Sequence, residues 1–176
     1  LLVGLATSNA LANEQIHVPD DYPTVAAAIN AASNGDVITI AAGTHYEHSI
    51  DPNGKAITIQ GEINSDGSLG TTIDAQGNGS VFQIVSEETN DTVIRYLKIT
   101  GGSGYVAEVF RVGGGMFIGL ASPYIIGCEI TGNNVDGTGG GIAIYDANPR
   151  IIDCTISGNT GSTGGGIFMF DANVEM

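Results

Sequence analysis

Residues 139–163 read GGGIAIYDANPRIIDCTISGNTGST, and residues 113–138 read GGGMFIGLASPYIIGCEITGNNVDGT. The glycine triplet opens both stretches and opens a third, GGGIFMFDANVEM, at residue 164, so the intervals are 26 and 25 residues. Cys128 and Cys154 are 26 residues apart, as are Asn133 and Asn159. Self-similarity at this period marks a repeat architecture, in which each copy buries its apolar face only by stacking on its neighbours. A more divergent copy lies upstream. TVIRYLKITGG at 92–102 aligns with PYIIGCEITGN at 123–133, and the spacing of 31 implies an insertion in SGYVAEVFRV.

The repeats read as strands. Their apolar runs are short, β-branched and interrupted by Gly, Asn, Asp and Ser, which leaves no room for the longer 3.6-residue periodicity of a helix. Cys128 and Ile130, then Cys154 and Ile156, alternate with Glu129, Thr131, Thr155 and Ser157. That period of two puts one face of a strand in a core. A second short strand, MFI, IAI or IFMF, follows each triplet. Strands that recur once per copy, with no hairpin turn between them, pair in parallel with their counterparts in the next copy. The expectation is an all-β, single-stranded parallel β-helix of about five or six coils. The triplets are then corners, where glycine reaches φ > 0 without steric cost. A phosphate loop would need a following helix and a lysine, and neither follows GGGIFMF. Asn133 and Asn159 suit corners too, and one coil apart they are placed to hydrogen-bond as a ladder.

The first 35 residues are of another kind. LLVGLATSNALA, residues 1–12, is apolar, too short to span a bilayer, and ends in the Ala10-Leu11-Ala12 pattern of a secretory cleavage site. It is expected to be the remnant of a signal peptide, the alternative being a short buried first strand. Export places the protein outside the cell or on its surface. Residues 13–35 are expected to hold a strand and a capping helix: Val25, Ala28, Ile29 and Ala32 share one helical face. Pro23-Thr24 gives a start and Asn34-Gly35 a stop. Such a helix covers the exposed end of a stack of strands. The coils occupy 36–176, and FDANVEM breaks off within a coil, so the natural protein is expected to continue.

Five Lys plus Arg against 19 Asp plus Glu give a net charge of −14. Nucleic-acid binding, which needs a basic stripe to neutralise phosphates, is excluded as an expectation. An anionic polysaccharide meets the same repulsion unless a cation intervenes. A monomer is expected, kept soluble by this charge.

The opening DYPTVAAAINAA with its later GD, ITI and AGTHYE elements, followed by KAITIQG and TTIDAQGNGSVFQI, resembles the start of the pectin-lyase-like right-handed β-helix superfamily. The IIDCTISGN and GGGI coils are similar to its right-handed β-helix repeats, and the resemblance covers residues 18–176. It implies a right-handed helix. It leaves activity open, since members include polysaccharide lyases, glycoside hydrolases and non-catalytic surface proteins.

Calcium-dependent lyases of the superfamily group carboxylates around Ca²⁺ and use Arg or Lys to abstract a proton. The basic candidates here are Lys55, Arg95, Lys98, Arg111 and Arg150, with no family motif around any of them. The hydrolases use paired carboxylates. Asp146 in YDAN and Asp171 in FDAN are 25 residues apart, hence one coil apart at about 4.8 Å. Two carboxylates that close share a proton or bind a cation, Ca²⁺ being the candidate. Asp146, Asp171 and Arg150 are therefore the candidate catalytic residues, and Asp146 and Asp171 the candidate metal ligands. Against this, a repeated corner in which both aspartates accept local backbone amides already explains the motif and is the reading expected here, and Leu120 stands at the matching position upstream. His45, Glu47 and His48 in THYEHS are read as a solvated turn rather than a metal site, because no further ligand cluster exists. Cys128 and Cys154 are expected to stack inward as thiols, since parallel Cβ vectors give poor disulfide geometry. The function expected is an exported, non-catalytic β-helix repeat protein, a shaft, adhesin or carbohydrate-binding module. The alternative is the N-terminal part of a pectate-lyase-like polysaccharide lyase or glycoside hydrolase acting on an acidic polysaccharide.

Overall fold

A computed structural model describes residues 13–107 and 110–176. The expected leader, residues 1–12, lies outside them. Among the described residues the strands are three or four residues long, and more than half of them alternate buried with less buried positions. That alternation follows from the period-two sequence pattern.

The strands form three parallel sheets. The first holds, in order, Gln15–Val18, Val37–Ile40, Thr58–Gly61, Val93–Arg95, Tyr124–Ile126 and Arg150–Ile152. The second holds Gly43–His45, Thr71–Asp74, Leu97–Thr100, Glu129–Thr131 and Thr155–Ser157. The third holds Phe82–Ile84, Met116–Gly119, Ile142–Tyr145 and Ile167–Phe170. From Tyr124 onward the chain visits first, second and third sheet in turn, then repeats the circuit. This pattern is compatible with the expected parallel β-helix.

Register turns the repeat into a core. Ile16, Ile38, Ile59, Ile94, Ile125 and Ile151 pair in one continuous column across the first sheet. Ile73, Ile99, Ile130 and Ile156 do the same in the second. Ile84, Ile118, Ile144 and Met169 form a third column. The central isoleucines are fully buried, each worth about 1.5–3 kcal/mol relative to exposure.

Each triplet turns a corner and lets circuits approach. Gly113, Gly139 and Gly164 lie at φ 61, 67 and 67. The second glycine has another reason to lack a side chain: a Cβ on Gly140 would meet the Gly165 carbonyl at 2.5 Å. Past the corners runs the asparagine ladder. Asn133, buried, accepts from the Gly102 amide at 2.9 Å and donates to Asn159 Oδ1 at 3.0 Å and the Ile99 carbonyl at 3.1 Å. Asn159 in turn donates to the Ile130 carbonyl at 2.8 Å.

A seven-residue helix, α1 (Val25–Ala31), covers the beginning of the stack, with Val25, Ala28 and Ile29 buried in the same core. Thr24 caps its start, its hydroxyl accepting from the Ala27 amide at 3.1 Å.

One feature departs from the expectation of copies without hairpins. The insertion at 103–112 pairs with itself: Tyr105–Ala107 runs antiparallel to Phe110–Val112. The two strands satisfy part of each other's backbone. At its end the segment rejoins the next circuit, Val112 bridging Thr138 in parallel and the Arg111 carbonyl accepting from the Thr138 amide at 3.1 Å. The hairpin stands beside the third sheet and decides where a cleft forms.

Candidate functional site

Asp146 and Asp171 each follow a third-sheet strand. Tyr145 and Phe170 are register partners, so the aspartates stack one circuit apart. Both are exposed and hold left-handed conformations, at φ 48 and 46, and Leu120 holds the same corner at φ 55. The expected side-chain bonds to local amides are not made among the described residues. The left-handed backbone instead lets the corner amides pair between circuits, Leu120 N donating to the Tyr145 carbonyl and Asp146 N to the Phe170 carbonyl, each at 3.1 Å. Side-chain bonding passes to the residues two further on. The Asn148 amide donates to Ser122 Oγ at 3.3 Å, and the Asn173 amide to Asn148 Oδ1 at 3.2 Å. The carboxylates are left as acceptors facing outward.

Arg150 does not share their cleft. Its guanidinium lies 4.7 Å from the Tyr124 ring centroid and its Nη2 donates to Glu175 Oε1 at 2.6 Å. It lines a polar groove on the other side of the corner, with Glu88 and Asn148. Glu88 is buried there, accepting from the Gly54 and Ser86 amides at 2.9 Å each, and burial pushes its carboxyl upward.

The other basic candidates serve the fold. Lys55 donates to the carbonyls of Ile29, Asn30 and Ala32, closing the C-terminal end of α1. Arg95 makes a forked bond to Gln60 Oε1 at 2.9 and 2.7 Å. Lys98 pairs with Glu129 at 3.2 Å. Arg111 reaches the Gly104 carbonyl at 3.3 Å. In THYEHS, Glu47 accepts from the Val25 and Ala26 amides at 2.8 and 3.2 Å, capping α1 from outside its own segment. His45 contacts the Ala41 carbonyl and His48 the Ser49 hydroxyl. Among the described residues no three His, Cys, Asp or Glu side chains gather as a metal site. Cys128 and Cys154 are free thiols stacked across circuits, with Cys154 Sγ accepting the Cys128 amide at 3.4 Å.

The site that sequence reasoning missed is an apolar cleft of about 430 Å³ beside Asp146. Its floor is the outer face of the third sheet, with Val85, Phe117, Gly119 and Tyr145. Ala107, Phe110 and Val112 of the hairpin form one wall, and the left-handed corner residues Leu120 and Asp146 the other. Tyr105 stacks on Phe117 with ring centroids 4.9 Å apart, and Phe117 meets Tyr145 edge-on at 6.0 Å. Tyr145 continues the line to Phe168 at 5.6 Å and Phe170 at 5.8 Å. Its hydroxyl is anchored to Thr138 Oγ1 at 3.1 Å. Phe110, Leu120 and Phe170 remain 69%, 66% and 59% exposed, a large apolar display for a chain of net charge −14. The signal for half of this was present. In MFIG, IAIY and IFMF the aromatics take the positions opposite the inward isoleucines.

No protein-family model matches the chain, and no curated protein or solved structure matches it either. Among the described residues no helix is long and apolar enough to cross a membrane.

Proposed function

We propose that the chain forms an exported, single-stranded right-handed parallel β-helix of the pectin-lyase-like kind, acting at the cell surface or beyond it as a non-catalytic, carbohydrate-binding shaft. The cyclic order of three parallel sheets supports the helix, and the preference of parallel crossovers for one hand supports its handedness. The observation that carries the function is the aromatic cleft: concave, mostly apolar and edged by a few polar groups, as small-ligand and saccharide sites are. Aromatic faces pack against the C–H faces of sugar rings, while acceptors at the rim take their hydroxyls.

The test is affinity electrophoresis of the chain through gels containing a panel of neutral and acidic polysaccharides, with ultraviolet absorbance of unsaturated uronate followed in parallel. Retardation without product is expected. Product formation that stops in Asp146→Asn would replace this reading with a polysaccharide lyase; free migration through every gel would remove carbohydrate binding altogether.

A further inference from the structure

Resting on the carbohydrate-binding reading, we infer that the cleft beside Asp146 takes a neutral glycan of equatorially substituted pyranoses, a β-glucan type of chain, rather than the acidic polysaccharide that the resemblance implies. The lining decides this. Among the described residues its only ionisable groups are the Tyr145 phenol and the Asp146 carboxylate, and no cation among them lines it to meet a uronate. The Asp171 carboxylate stands one circuit away on the same corner, adding to the negative field. In a partly desolvated cleft like charges repel strongly, and the whole chain adds a charge of −14.

The same lining suits a neutral chain. A pyranose with equatorial hydroxyls keeps axial C–H bonds on both faces, and those flat apolar faces match the aromatic floor and the Phe110 and Leu120 walls. The hydroxyl rim donates hydrogen bonds, and an ionised carboxylate is a pure acceptor. Asp146 is thus a partner for sugar O–H groups and an obstacle to sugar carboxylates. Of the aromatic line, Phe117 and Tyr145 belong to the cleft itself, their centroids 6.0 Å apart and edge-on, which gives a sugar ring two aromatic surfaces at an angle rather than one.

The experiment uses the full chain with two soluble probes, hydroxyethyl cellulose and polygalacturonate, each at low salt and at about 0.5 M NaCl, where charge effects are screened within a few ångströms. Expected are retention by the neutral probe, unchanged by salt, and none by the acidic probe. Leu120→Asn and Phe110→Ser change exposed side chains, and Asn is at ease in the left-handed conformation of residue 120. Each should weaken binding roughly tenfold with unchanged melting temperature. Retention by polygalacturonate alone would overturn this inference while leaving carbohydrate binding standing. Neutral-probe binding that persists in both variants would place the site elsewhere, and retention by neither probe nor any other polysaccharide would sink the underlying reading.

Discussion

Cys128 and Cys154 occupy equivalent positions in successive copies, yet their surroundings separate them. The hydrogen bond to Cys154 and full burial push the Cys128 thiol well above its ordinary range. The Cys154 thiol is drawn down to about 7, chiefly because Cys128 donates a hydrogen bond to it, with the Cys128 amide at 3.4 Å assisting. Deprotonation creates the nucleophile, so alkylation by iodoacetamide should rise as pH climbs through about 7 and level off before the ordinary thiol value of 9.0. Mass spectrometry should find the label on Cys154 alone, and Cys128→Ala should move the midpoint upward. Labelling that rises only near the ordinary value would show that the stacked thiols do not communicate. The stacking was legible from a spacing of 26 residues. The asymmetry was not, because it depends on which thiol lies deeper in the stack.

At the scale of the element, α1 shows what local pattern gives and what it withholds. Val25, Ala28 and Ile29 declared a buried face through helical spacing, and they are buried. Val25→Asp places a carboxylate against the core with no partner and should cost more than about 3 kcal/mol. Circular dichroism and gel filtration should show an unfolded or aggregated protein; a soluble variant melting like the parent would disprove the lid. The caps of α1 were illegible. Glu47 lies 22 residues from Val25, and Lys55 lies 26 residues from Ile29, so each reads locally as a stray charge. The hairpin wall was hidden for a related reason: an insertion has no partner copy against which its strands can be aligned. Asp146 drew notice as a repeated corner, but its neighbours Phe117 and Phe110 come from different circuits and only the fold joins them.

At the scale of the whole molecule, the repeat dictates an unbroken register. Six strands of the first sheet run from Gln15–Val18 to Arg150–Ile152, and each bonds only to the strands beside it. Stability in such an arrangement is close to a sum of nearest-neighbour terms. Pulled by its two ends, the protein is therefore loaded as a zipper rather than as a clasp, because the force acts first on an edge strand and leaves interior pairings untouched. Each rupture frees one circuit, 21 to 35 residues by the register of the first sheet, and so releases a length of about 70 to 120 Å of chain. Optical tweezers should record a staircase of low-force steps near that length. A single rip releasing the whole chain would mean that the circuits hold together through something other than their shared register.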